Sequence, residues 1–190
     1  MHSRTHGIRI ALITLGAAVC LVGQAHAAGT TKKPIKHRVA PLNDANIAAI
    51  VLAANTIDID NAQVALQTSS DSTVKAFAQQ MVTDHTSVND KAKALAAKLT
   101  LTPKPNATSR NLVMQMSEKR ATIAKLTGSE FDKAYLDNEI SYHQAVIDML
   151  GNKLVPGAKN AELKDLLTSV QPAFEAHLEH AKMARASLGQ

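Results

Sequence analysis

Apolar residues recur at alternating spacings of four and three along four stretches of the chain. In the stretch from 74 to 99 this row consists of Val74, Ala78, Met81, His85, Val88, Ala92, Leu95 and Leu99. Such spacing places the apolar residues on one stripe of an α-helix, and a helix with one apolar stripe buries it against other helices. The pattern therefore predicts a long amphipathic helix with a histidine, His85, in its packing seam.

A second row precedes this helix and is separated from it by the short segment TSSDS at 68–72. Its members are Ile47, Val51, Ala54, Asp58, Asn61 and Ala65. The Asn43-Asp44 pair gives a helix start before it, and Ser70 or Asp71 caps the helix that follows. Because the break is so short, the two helices are expected to form an antiparallel hairpin.

Two further rows in the C-terminal half predict a second hairpin. The first row consists of Leu136, Ile140, His143, Ile147, Leu150 and Leu154. The second consists of Leu163, Leu166, Val170, Phe174, His177, Ala181, Ala184 and Leu188. Gly151, Pro156 and Gly157 predict a loop between them. Pro172 lies inside the last helix and predicts a kink there, because proline lacks an amide hydrogen and clashes with the preceding turn.

A shorter helix is predicted at 109–126, between the two hairpins. Gly128 ends it, and Ser129 caps the next helix with an acid three residues later. The sequence thus predicts an all-α protein over residues 42–190, in which two antiparallel hairpins and a short connecting helix form a ferritin-like four-helix bundle.

The first part of the chain has the composition of an export signal. Residues 1–27 contain a basic start, an apolar run from Ile10 to Val22 and an A-x-A cleavage motif ending at Ala27. Residues 28–41 follow as a basic, flexible arm. Cys20, the single cysteine, lies within the signal, so the exported chain is expected to contain no disulfide. We therefore predict a soluble periplasmic protein; the sequence gives no support for an outer-membrane location.

The positive charge of the chain is concentrated outside the predicted bundle. The formal net charge is +5, and the arm contains Lys32, Lys33, Lys36 and Arg38. The bundle is therefore close to neutral, which argues against nucleic acid as a partner. The arm is either a solvated tail or a contact to membrane headgroups or cell-wall polymers, and any protein partner in the envelope is unknown.

Each of the four long rows contains one residue able to bind a metal or exchange a proton. These residues are Asp58, His85, His143 and His177. Three neutral imidazoles and one carboxylate suit zinc, copper or iron, and inward side chains from several helices can meet in a bundle core. Asp84, Glu139 and His180 are candidate additional ligands or hydrogen-bond partners of the ligands.

The same residues also have a purely structural interpretation. A neutral histidine in a seam can hydrogen-bond to a carboxylate or carbonyl across the bundle and fix helix register. Counting from the loops places His85 and His143 near one level, with Asp58 and His177 about two turns away at roughly 1.5 Å per residue. On this count the four side chains need not converge.

Known catalytic motifs are missing from the sequence. It contains no Glu-x-x-His or His-Glu-x-x-His motif and no Gly-rich phosphate loop. Asp58 is the single carboxylate in the rows, whereas di-iron bundles use about four. The leading hypothesis is a binding or envelope-stress accessory protein of undetermined activity. The alternative is a metal-binding ferritin-like protein, either a metal store or a redox enzyme.

Three segments carry a resemblance to a known family. They are VKAFAQQMVTDH at 74–85, FDKAYLDNEISYH at 131–143 and PAFEAH at 172–177. In their order and spacing the chain resembles a family of bacterial exported proteins, classed as a domain of unknown function and labelled periplasmic or outer-membrane. The resemblance covers roughly 42–188. It implies an exported ferritin-like bundle of undetermined activity and supplies no reaction.

Overall fold

A computed structural model describes residues 41–189. The helices are α1 (Asp44–Thr68), α2 (Ser72–Lys98), α3 (Ala107–Ile123), α4 (Gly128–Met149) and α5 (Ala161–Ser187). Within this part of the chain there is no strand. The protein is an all-α ferritin-like four-helix bundle with α3 as its short connecting helix, which confirms the predicted fold class. The predicted signal peptide and the arm up to residue 40 lie outside the described residues.

The four long helices form the two predicted hairpins. Helix α1 packs along α2, α4 packs along α5, and contacts between α2 and α5 join the hairpins. Asp71 caps α2, where its Oδ1 accepts hydrogen bonds from the amides of Thr73 at 2.8 Å and Val74 at 3.0 Å. Asn43 caps α1 in the same way. Both capping predictions are confirmed.

The predicted start of α4 is wrong. Thr127 takes the N-cap position without a side-chain hydrogen bond, and Ser129 lies inside the helix. The reason is Gly128, whose φ of 56° lies in the left-handed region that glycine adopts at little cost. Gly128 turns the chain into α4 one residue before Ser129, so the predicted capping box with Ser129 does not form.

The predicted loop after residue 150 is also largely helical. A π-helical turn at Leu150–Leu154 and a short α-helical turn at Val155–Gly157 extend α4. Pro156 is tolerated because it lies at the beginning of the second turn, where its missing N–H breaks no helical bond. Helix α5 is one continuous helix, and Pro172 lies inside it.

The buried core consists of two apolar clusters separated by a polar layer. One cluster contains Ile50, Leu154 and Leu167, and the other contains Phe77 and Leu136. Along each long helix, residues of one cluster precede the layer and residues of the other follow it. The middle of the bundle is therefore where all four long helices bring polar side chains together.

Candidate metal centre

The polar layer consists of five almost fully buried side chains. They are Asp58, His85, Glu139, His143 and His177, all at most 4 % exposed. Burying an unpaired polar group costs about 1–3 kcal/mol, and an unpaired charge costs considerably more. Hydrogen bonds, protonation of the carboxylates or a bound ion must therefore offset the free-energy cost of burying this layer.

The protonation of the His85 ring is set by Asn55, its neighbour on α1. The Nδ2 group of Asn55 donates to the Val51 carbonyl at 2.9 Å, which turns its Oδ1 toward Nδ1 of His85 at 2.7 Å. An amide oxygen only accepts, so Nδ1 of His85 carries the proton. The lone pair of the neutral ring is then on Nε2, which lies 3.2 Å from Oδ2 of Asp58.

The other two rings are fixed by the same principle. Nδ1 of His143 lies 3.0 Å from the carbonyl oxygen of Glu139 and donates to it. Nε2 of His177 lies 2.9 Å from Oδ2 of Asp84 and donates to that carboxylate. Nε2 of His143 and Nδ1 of His177 consequently hold the lone pairs.

These three lone-pair nitrogens are buried, and none has a hydrogen-bond partner within residues 41–189. One ring nitrogen from each of His85, His143 and His177 lies within 4.8 Å of one from each of the others. The ring centroids are 5.3 to 5.6 Å apart. An outer acceptor on one nitrogen and a free inner nitrogen is how metal-binding histidines are oriented.

Two carboxylates complete the layer. Ligand atoms of Asp58, Glu139 and His143 also lie within 4.8 Å of one another. The sequence predicted Asp58 as the single seam carboxylate and Glu139 as an accessory residue. Glu139 is instead fully buried, because it lies one helical turn before His143 and faces the same core.

Burial controls the ionisation of both acids. It raises the pKa of Asp58 to about 8. It also raises the pKa of Glu139 well above its ordinary range, and the charge of Asp58 adds to this effect. A nearby cation would favour the ionised form of both groups.

Burial has the opposite effect on the imidazoles. It lowers the pKa of His143 to about 4 and that of His85 well below 6.5. The pKa of His177 is also lowered by burial, against the opposing effect of its hydrogen bond to Asp84. The three rings are therefore neutral at neutral pH, which is the form that binds metal ions.

The expectation that Asp58 and His177 lie about two turns from the other histidines is wrong, because Oδ2 of Asp58 lies 3.2 Å from Nε2 of His85 and the ring centroids of His85 and His177 are 5.3 Å apart. The observed helix bounds give the reason. Asp58 lies ten residues before the end of α1 and His85 thirteen residues after the start of α2, a difference of about three residues or roughly 4.5 Å. In the second hairpin the chain stays helical to Gly157, so His143 lies fourteen residues before that end and His177 sixteen residues after the start of α5.

The remaining predicted residues lie at the edge of the layer. Asp84 is 42 % exposed and holds His177, and it accepts from Nε2 of Gln80 at 3.3 Å. His180 bonds through Nδ1 to Oε1 of Gln80 at 2.9 Å. Asp84 therefore acts as a hydrogen-bond partner of a candidate ligand, and His180 lies one step further out. Sequence reasoning missed Asn55; its signal was an amide three residues before Asp58.

The fold and the layer together define an all-α four-helix bundle with a buried histidine and carboxylate centre. The chain belongs to the family described as a domain of unknown function, DUF4142, which matches residues 28–184. No curated protein matches the chain. No helix among the described residues is both long and apolar enough to cross a membrane.

Two solved structures share the fold. One is a protein described as secreted, DUF305 from Streptomyces coelicolor, with 10% identity and a TM-score of 0.63, covering 76% of this chain and 92% of that chain. The other is CopM in the Cu(II)-bound form, with 15% identity and a TM-score of 0.59, covering 78% of this chain and 99% of that chain. At these identities the similarity establishes the fold alone.

Proposed function

We propose that this protein binds one transition-metal ion in the middle of its bundle. The ligands are Nε2 of His85, Nε2 of His143, Nδ1 of His177 and a carboxylate oxygen of Asp58. The observation that carries the proposal is the shared orientation of the three rings. Each has one nitrogen hydrogen-bonded to an acceptor, whereas the other is buried and has no partner within the described part of the chain. One nitrogen of each ring also lies within 4.8 Å of one from each of the other two.

The donor set narrows the choice of ion. Imidazole nitrogens suit zinc, copper, nickel and iron, and a single nearby carboxylate is compatible with each of them. Thiolates, which would favour Cu(I), cannot contribute, because Cys20 lies in the predicted signal peptide. CopM, which has the same fold, has been solved with Cu(II). Copper is therefore the first ion to test, followed by zinc.

A binding role in the cell envelope accounts for the rest of the chain. We infer that a signal peptide at 1–27 directs export. It is followed by an arm at 28–41 and by the bundle at 42–190. The family match begins at residue 28, directly after the predicted cleavage site, and the DUF305 protein of similar fold is described as secreted. The protein would then hold its ion outside the cytoplasm as a binding or envelope-stress accessory protein.

Metal titration of the untagged protein tests this proposal. We expect one equivalent of Cu(II) to bind, and substitution His177→Ala to weaken binding at least tenfold. The matched control is His180→Ala, three residues along the same helix, which removes an imidazole outside the centre. Calorimetry and elemental analysis measure affinity and stoichiometry.

Two results would contradict metal binding at this site. One is less than about a tenth of an equivalent of copper, zinc or iron on the folded wild-type protein. The other is equal affinity of the two histidine variants, which would place the ion elsewhere. In either case the layer would be a polar core that fixes helix register.

A further inference from the structure

A small cavity lies beside the candidate metal centre. It has a volume of about 10 Å³, which is room for about one water-sized ligand. The polar part of its wall is formed by Asn55, Asp58, His85, Tyr142 and His143. The rest of the wall is mainly apolar and includes Ala54, Val146 and Phe174.

Three of these polar residues, Asp58, His85 and His143, are also assigned to the ion. Both carboxylate oxygens of Asp58 and Nε2 of His85 and His143 are buried, and none has a hydrogen-bond partner in residues 41–189. His177 is not part of the wall. An ion bound by all three imidazoles would therefore lie at the edge of this cavity, and the cavity would remain beside it.

The other side of the cavity offers few hydrogen bonds. Phe174 stacks on the His85 ring at a centroid distance of 5.2 Å. Tyr142 also lines the cavity, but its hydroxyl already donates to the Ala54 carbonyl at 2.9 Å. The side chain of Asn55 is already bonded to the Val51 carbonyl and to His85. A ligand in the cavity would therefore find its polar contacts at the ion and at Asp58.

From this juxtaposition we propose that the cavity is the site of an exogenous ligand of the metal ion. The ligand is a single water or hydroxide, and the size of the cavity excludes anions of three heavy atoms such as azide. Metal sites with a fully protein-provided coordination shell are structural, whereas an open position is where small molecules bind and exchange. This inference rests on the proposed function and adds an open fifth coordination position to its four protein ligands.

The test uses the Cu(II)-loaded protein in water enriched in ¹⁷O. Pulsed electron–nuclear double resonance is expected to show a strongly coupled ¹⁷O nucleus in the wild type. Substitution Ala54→Val fills the cavity and should remove this coupling. Ala53→Val makes the same change one residue away, at a position that lines the outer groove against α3, and should keep it.

A second pair of variants changes the size of ligand that the cavity can hold. Val146→Ala enlarges the cavity, so millimolar azide should produce a new ligand-to-copper absorption band in this variant and none in the wild type. Val146→Ile narrows the cavity by one methylene and serves in place of Ala54→Val if that protein does not fold. It should reduce the ¹⁷O coupling as well.

The outcomes separate the two proposals. Copper bound at one equivalent without ¹⁷O coupling overturns the open position and leaves the metal site intact. Coupling that persists in both cavity-filling variants shows that the water approaches from elsewhere and overturns the assignment to this cavity. A wild-type protein that binds no copper overturns both proposals.

Discussion

Among the single residues of the polar layer, Asp58 is the one whose ionisation bears most directly on stability. Its carboxyl is fully buried, and burial raises its pKa from 3.8 to about 8. Between these two pH values the folded protein holds a proton that the unfolded chain has released. Stability therefore falls as pH rises through this range. Glu139 acts in the same direction.

The histidines act in the opposite direction, but over a lower range. The pKa of His143 falls from 6.5 to about 4 on folding, so the unfolded chain binds more protons between these values and stability rises with pH there. Above about pH 6.5 this contribution is complete. The interval from pH 6.5 to 8 therefore isolates the carboxylic acids.

We predict that Asp58 alone costs the metal-free protein on the order of 2 kcal/mol of unfolding free energy between pH 6.5 and pH 8, at about 1.4 kcal/mol per pH unit, and that Glu139 adds to this loss. Urea denaturation at the two pH values measures this loss. Asp58→Asn stays neutral throughout and should flatten the dependence to the part contributed by Glu139. Asp60→Asn, two residues along on the partly exposed side of α1, should keep it. An identical slope in Asp58→Asn and wild type would show that Asp58 is already ionised in the fold.

The residue types of the centre could be found in the sequence, but their meeting could not. Asp58, His85, His143 and His177 occupy apolar rows, and a polar residue in such a row is visible without coordinates. Their convergence depends on where each helix begins and ends and on how the four helices pack, and the predicted bounds were wrong in the helical segment Leu150–Gly157. Glu139 and Asn55 lie beside the rows rather than on them. The apolar spacing alone therefore did not predict the role of either residue.

At the level of the helices, periodicity was a better guide than glycine and proline. The row of α4 continues through Leu150 and Leu154, and both are buried in the structure. The prediction of a loop there gave Gly151 and Pro156 more weight than the row. A π-helical turn keeps both leucines inside. The apolar spacing continues unchanged through Ile147, Leu150 and Leu154, so spacing alone does not reveal this turn.

Pro172 allows a prediction about α5. The residue is exposed inside a continuous helix, where proline is about 3 kcal/mol less favourable than alanine. Pro172→Ala restores an amide that can donate to the Thr168 carbonyl and should raise the free energy of unfolding by about 2–3 kcal/mol in urea denaturation. Ser169→Ala, on the same exposed surface, controls for helix propensity and should gain at most about 0.5 kcal/mol.

Unchanged or lower stability of Pro172→Ala would have a specific meaning. It would show that the packing of Phe174 and His177 depends on the shape that proline gives to α5. Copper affinity of this variant would then fall together with its stability. If the affinity is unchanged while stability rises, proline has no part in positioning the centre.

At the scale of the whole molecule, the polar layer divides the core into two apolar clusters that α1, α2, α4 and α5 all cross. An apolar layer of the same volume would stabilise the bundle more, because buried polar groups lose their hydration. In the proposed function, a bound ion supplies the missing attraction and ties four helices together. Helix α3 provides none of the five side chains that form the layer.

A bound ion should therefore raise the free energy of unfolding of the whole bundle. It should slow amide hydrogen exchange more in some helices than in others. At free Cu(II) one hundred times the dissociation constant, the expected stabilisation is about 2.7 kcal/mol. This corresponds to a rise in Tm of roughly 5–10 °C for a domain of this size. Amide hydrogen exchange should slow around Asp58, His85, His143 and His177, where the four helices meet. It should change little in α3, which can open without releasing the ion.

His143→Ala and His180→Ala distinguish the centre from unspecific copper binding in this experiment. His143 lies in both groups of converging ligand atoms, so its loss should abolish both the Tm shift and the local protection. His180→Ala should preserve both. Protection that appears equally in α3, or that survives in His143→Ala, would mean that copper binds the bundle at its surface. The proposal that the ion binds in the middle of the four helices would then be wrong, even if the ion makes the protein more stable.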